Sequence, residues 1–133
     1  MTNSNNKFME VVFHKSNRTL EFIWLEKTLR LTDQLFRKEL ERQIKWVKKY
    51  KPANILMDTT QFVFPIAPLT QTWVNDQVFC TLKQAGVNKI GFLKPTEFIS
   101  RLSVQQTIEA HTQRGLKTRF FDTRETALKW LVV

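Results

Sequence analysis

With one cysteine, Cys80, among 133 residues, the chain cannot close an intrachain disulfide, so its stability has to come from a buried core. A chain of this kind suits a reducing compartment, which predicts a cytoplasmic location. Three glycines and four prolines are too few for a collagenous, linker-rich or low-complexity chain. Lys, Arg, Asp or Glu interrupts nearly every hydrophobic segment, and no run approaches the roughly 20 apolar residues that cross a bilayer. The chain is therefore expected not to span a membrane. Acidic residues are scarce as well: 12 Asp and Glu face 21 Lys and Arg, for a formal charge of +9.

The composition that remains, 42% hydrophobic and 25% charged, is that of an ordinary globular protein, and the length fits one domain with a sheet buried under several helices. Residues 1–6 are small and polar and read as a frayed, disordered end without the apolar stretch of a secretory signal. A single domain over 7–133 is expected, with no linker and no internal repeat.

Two β-prone runs open the chain. Phe8, Val11, Val12 and Phe13 lie in the first, Ser16, Asn17 and Arg18 supply a turn, and a second run covers 19–25. In that run Leu20, Phe22 and Trp24 alternate with Thr19, Glu21 and Ile23, the period of two that one buried face imposes. Thr32 then caps a helix over 33–50, with Asp33 in its first turn. Phe36, Leu40, Ile44 and Val47 form its buried stripe, and Pro52 stops it. Ile55, Leu56 and Met57 predict a central strand covered on both faces. A helix capped by Thr70 or Thr72 buries Val74, Val78, Leu82 and Ala85, and Gly86 ends it. A strand over 88–93 follows. After a helical turn near Phe98, the capping-box spelling of 103–106 predicts a helix starting there and running to about Arg114. The last strand covers 117–122, and Thr123 caps a terminal helix that packs Ala127, Leu128 and Leu131 on the sheet.

The order β-β-α-β-α-β-α-β-α predicts an α/β fold: a mixed, mostly parallel sheet of about five strands with helices packed on it, joined by right-handed crossovers. This order, together with ILMDTTQF at 55–62, NKIGFLKP at 88–95, RLSVQQTIE at 101–109 and RFFDTRETALKWL at 119–131, resembles the bacterial stand-alone STAS-like, or SpoIIAA-like, domains, the family of anti-sigma-factor antagonists. The ending is the most specific part, a strand closing in Phe-Phe-Asp before a short Ala-Leu-x-Trp-Leu helix. The resemblance implies a non-enzymatic regulatory domain whose interactions are with proteins. In phospho-regulated members an Asp-Ser-Ser-like turn at a helix start carries the phosphorylated serine. Here that stretch reads VFPIAPLTQTW at 63–73, and Thr70 and Thr72 are its only hydroxyls.

No catalytic residue, metal site or cofactor is expected. Asp58, at the carboxyl end of a strand, and Lys94 resemble the acceptor aspartate and lysine of a receiver domain, but the first strand lacks the acidic pair that would hold Mg²⁺. A role in satisfying nearby backbone N–H groups suits Asp58 better. His14 and His111, the only histidines, have no ligand-spaced partners, and Cys80 has no flanking base.

Two surfaces stand out. Lys38, Arg42, Lys45 and Lys49 share one helix face, which reads either as the solvated side of an amphipathic helix or as a binder of nucleic acid or anionic lipid. Trp46 borders that stripe. The eight residues at 62–69 carry no charge. With Asp58, Phe62, Phe64, Pro65, Ile66, Thr70 and Trp73 as candidate site residues, this segment either closes the core, or lines a pocket for a small apolar ligand, or makes a contact with a protein partner or a second copy.

Overall fold

The computed structural model describes residues 7–110 and 115–133. The end read as frayed, His111 and the expected helix end near Arg114 lie outside the described residues.

β1 (Met9–His14) and β2 (Thr19–Trp24) form the antiparallel opening pair, joined through a short 3₁₀ turn and Arg18 in the left-handed region, φ 54°. α1 (Asp33–Tyr50) starts at Thr32, whose hydroxyl accepts from the Leu35 amide, and ends at Lys51 in the left-handed region. β3 (Asn54–Asp58) leads to α2 (Pro68–Trp73), a π-helical segment (Val74–Phe79) and α3 (Cys80–Gln84), which run on as one rod. Gly86, φ 101°, turns the chain toward β4 (Lys89–Leu93). α4 (Phe98–Glu109), β5 (Lys117–Phe121) and α5 (Arg124–Leu131) complete it. The protein is thus an α/β molecule with a five-stranded mixed sheet in the order β1-β2-β3-β4-β5, antiparallel only at β1-β2.

Because each crossover steps to the adjacent strand in the same direction, three crossovers of one hand put α1, the α2–α3 rod and α4 on a single face. Leu20, Phe22 and Trp24 of β2, Ile55 and Met57 of β3, and Ile90 and Phe92 of β4 meet Phe36, Leu40 and Val47 of α1, Val78 and Leu82 of the rod, and Val104 and Ile108 of α4 there. Phe22 is fully buried, worth about 2–3 kcal/mol of apolar transfer. Trp24, Phe36, Phe62 and Phe64 form an aromatic cluster with ring centroids 5.2–6.2 Å apart. Among the described residues α5 alone covers the other face, where Leu56 and Leu93 pack against Ala127 and Leu131. Gly91 lies beneath it, since a Cβ there would meet Leu131 and Phe121 at 3.5–3.7 Å.

Several expectations are corrected. β2 is buried on both sides, Thr19 and Glu21 included, and the Arg124 side chain from the start of α5 bonds Glu21 on the face that the alternation assigned to solvent. Neither Thr70 nor Thr72 caps the second helix. It starts at Pro68, whose fixed φ and missing N–H suit a first helical position, and Ala67 precedes it without a side-chain cap. Ser103 does not start a helix either. α4 begins at Phe98, capped by the Glu97 carboxylate, which accepts from the Ile99 and Ser100 amides at 2.8 and 2.9 Å. These bonds and the Ser100 hydroxyl, the largest contributor, hold the Glu97 carboxyl below the ordinary carboxylate range.

Candidate functional site

The uncharged 62–69 segment divides into two halves. Phe62 and Ile66 are buried and, with Trp24, Gln43 and Val78 among others, line a cavity of about 60 Å³ in the main core. Phe64 is half-buried against Phe36, with ring centroids 5.2 Å apart. Pro65 is exposed, and beyond Ile66 the chain comes out: Ala67, Pro68 and Leu69 are exposed. A buried loop needs partners for its backbone, and here the side chains of Thr28, Ser103 and Gln71 supply them. The Val63 amide donates to the Thr28 hydroxyl at 2.9 Å and the Ile66 amide to Ser103 Oγ at 3.0 Å. Gln71 Nε2 donates to the Ile66 carbonyl at 2.9 Å and reaches Gln106 Oε1 at 3.3 Å. The hydroxyl spelled like a cap at Ser103 is thus spent on fixing this loop to α4.

The rest of the expected site does not gather around the cavity. Thr70 is buried; its hydroxyl donates to Asp33 and accepts from Arg37 at 3.3 Å. Trp73 lies outside the cavity lining, with the Arg37 guanidinium 4.8 Å over its ring. Asp58 follows Leu56 by two residues and so projects to the α5 face. Its carboxylate accepts from the Thr60 amide at 3.0 Å and the Thr60 hydroxyl at 2.7 Å. Lys94 pairs with Asp122 at 3.3 Å, so the acceptor-and-lysine arrangement does not form.

Where the rod meets α4, four large apolar side chains stay in solvent: Leu69 is 82% exposed, Phe98 60%, Ile99 50% and Leu102 42%. The segments that carry them are linked nearby by the Ile66–Ser103 bond and by the side chains of Gln71 and Gln106. Farther along, Asn75 Nδ2 donates to the Thr107 carbonyl at 3.0 Å. α4 turns its small hydroxyl residues Ser100, Ser103 and Thr107 inward, and Phe98, Ile99 and Leu102 are left outside. Sequence reading missed these three because it split the segment into a turn and a later helix. One continuous helix would have shown more apolar residues than a single buried stripe can hold.

A second missed group lies on the α5 face. Glu21, 1% exposed, receives both Arg124 guanidinium nitrogens, one at 2.7 Å, and lies 2.8 Å from His14 Nε2. Burial on its own would raise the Glu21 carboxyl. The hydrogen bonds and charges of Arg124 and His14 outweigh it and hold the group below its ordinary value of 4.5, while the same contact raises Arg124. The arrangement is a self-satisfied ion cluster. Among the described residues no three His, Cys, Asp or Glu side chains form a group that could hold a metal ion, and no helix is long and apolar enough to cross a membrane.

The basic stripe is exposed at Lys38, Arg42, Lys45 and Lys49. Arg42 pairs with Glu39 at 3.2 Å, and Arg42, Lys45, Trp46 and Lys49 border an open groove of about 440 Å³. Cys80 is partly buried, with Gln84 Nε2 3.6 Å from its sulfur. Compared with known proteins, the chain matches no protein-family model, no curated protein and no solved structure.

Proposed function

We propose that this chain is a non-enzymatic, STAS-like regulatory or binding domain, cytoplasmic in setting, that docks a protein partner on the apolar end formed by Leu69, Phe98, Ile99 and Leu102. The observation that carries the reading is the joint exposure of these four side chains beside a loop whose Ile66 backbone is held by Ser103 and Gln71. Exposed apolar patches of this kind cost solubility and usually mark contact sites, and a pre-ordered patch spends little entropy on binding. The succession of elements and the Phe-Phe-Asp close at β5 and α5 support the STAS-like part.

The partner is a protein with an acidic rim. Arg101 stands beside the patch with its guanidinium 5.6 Å from the Phe98 ring, and the chain's formal charge of +9 steers acidic surfaces toward it and repels a second copy. The small apolar ligand is the weaker branch. A cavity of about 60 Å³ is less than half the roughly 150 Å³ that admits benzene, so a ligand would first have to free the loop from Thr28 and Ser103.

A photo-cross-linking side chain placed at Phe98, with a control at exposed Glu125 on α5, tests this in cells that make the protein. The expected result is one discrete heavier adduct from position 98, absent from 125 and lost when Leu69→Asp is added with melting unchanged. Matching adducts from both positions, or an adduct with the mass of two copies of this chain, would count against the reading.

A further inference from the structure

Helix α1 ends in a surface that the apolar end does not use. Four exposed cations, Arg42, Lys45, Lys48 and Lys49, occupy its second half. The negative end of the helix dipole accounts for Lys48 and Lys49, but not for the rings beside them. Trp46 and Tyr50, one helical turn apart, stack nearly parallel at 9°, with centroids 5.7 Å apart. Tyr50 in turn stacks on Phe13 of β1 at 4.7 Å and 24°. Three rings thus form a ladder across the junction of helix and edge strand, each half-buried. The Lys49 ammonium lies 5.2 Å from the Trp46 centroid and 5.4 Å from that of Tyr50. Lys45 makes no ion pair among the described residues, and Arg42, paired with Glu39 at 3.2 Å, also borders the groove.

We infer that the groove bordered by Arg42, Lys45, Trp46 and Lys49 is a binding site for single-stranded nucleic acid. Such chains are bound where cations track the phosphates and an aromatic face receives an unpaired base, and both parts are present side by side. A duplex keeps its bases stacked inside and would use only the charge. An anionic membrane would engage an apolar side chain inserted from the same face. None of the exposed large apolar residues lies on the 38–50 part of α1. A base enters by displacing the Lys49 ammonium from the Trp46 face, and the ammonium then meets the adjoining phosphate.

The test is fluorescence anisotropy of a dye-labelled oligothymidylate of about 12 nucleotides against the whole chain at about 50 mM salt and upward. Three cations at the groove predict a log–log salt slope of about −2, from roughly 0.7 counterion released per phosphate on a single strand. Trp46→Ala should weaken binding about 10-fold, the loss of one stacked base, and Trp46→Phe should recover most of it. Lys45→Glu, at an exposed position, should weaken binding without changing melting, and it carries the test if Trp46→Ala fails to fold. The inference is overturned by the absence of binding at low salt, or by equal affinity for a duplex of the same length. Binding to phosphatidylserine vesicles without binding to the oligonucleotide would overturn it as well.

Discussion

The two faces of the sheet solve the burial problem in different ways. One lies under α1, the α2–α3 rod and α4 and is closed by aromatic and aliphatic side chains, with a residual cavity of about 60 Å³. The other, among the described residues, has only α5, eight residues long, which covers Leu56, Gly91 and Leu93 but leaves the β1 side open, with Val12 41% exposed. At the border of that short cover Glu21 is buried, paired with Arg124 and in contact with His14. Where enough helix is available, apolar area carries the packing. Where it runs out, a paired charge fills the gap, and such a pair adds little net stability yet is costly to break from one side.

The difference can be broken on the apolar side first. Phe22→Ala removes a fully buried ring and should cost about 4 kcal/mol in chemical denaturation, enough to unfold a marginal domain. A cost under about 1 kcal/mol would mean that this face is loosely packed. On the ionic side, Arg124→Met leaves Glu21 buried with only His14 beside it. Because the Arg124 side chain is 45% exposed, the expected loss is discounted to about 2 kcal/mol at neutral pH. The pH dependence follows from the direction of the Glu21 shift. A carboxyl held below 4.5 contributes stability that is present above that value and is lost as the pH falls through its lower folded value. The gap between wild type and Arg124→Met should therefore narrow in acid, and a gap that widens there would contradict the pairing. The smallest effect concerns the cavity: Val104→Ile, from its lining, should raise stability by about 0.5 kcal/mol, and a loss would mean that the space is already filled on average.

Much of this contrast was legible in the sequence where the signal was local. Thr32 and Thr123 cap as their spelling implies, Gly86 takes a positive φ, and the stripe of Phe36, Leu40 and Val47 is buried. What was not legible depended on distant partners. Glu21 read as solvent-facing because nothing near it announces that Arg124, 103 residues later, will come to it. Ser103 carries the spelling of a cap, yet the loop amide of Ile66 claims its hydroxyl, and Glu97 takes the cap instead. The π-helical stretch Val74–Phe79 has no local signature, since its stripe of Val74 and Val78 fits an α-helix equally well. The candidate site was half legible for the same reason. Absence of charge marks 62–69 as unusual, but only packing decides that Phe62 and Ile66 go in and Leu69 stays out. Likewise spacing puts Lys38, Arg42, Lys45 and Lys49 on one face, whereas the Trp46–Tyr50–Phe13 ladder requires β1 beside α1.

A docking surface at this end requires Leu69 and Phe98 to be surplus to the fold and therefore free for contact. Urea denaturation of the Leu69→Gln, Phe98→Gln double variant measures this, because Gln keeps helix propensity and removes only the apolar surface. The predicted midpoint matches wild type to within about 0.5 kcal/mol of stability. A loss of about 2 kcal/mol or more would place both side chains in the core and contradict a docking surface there.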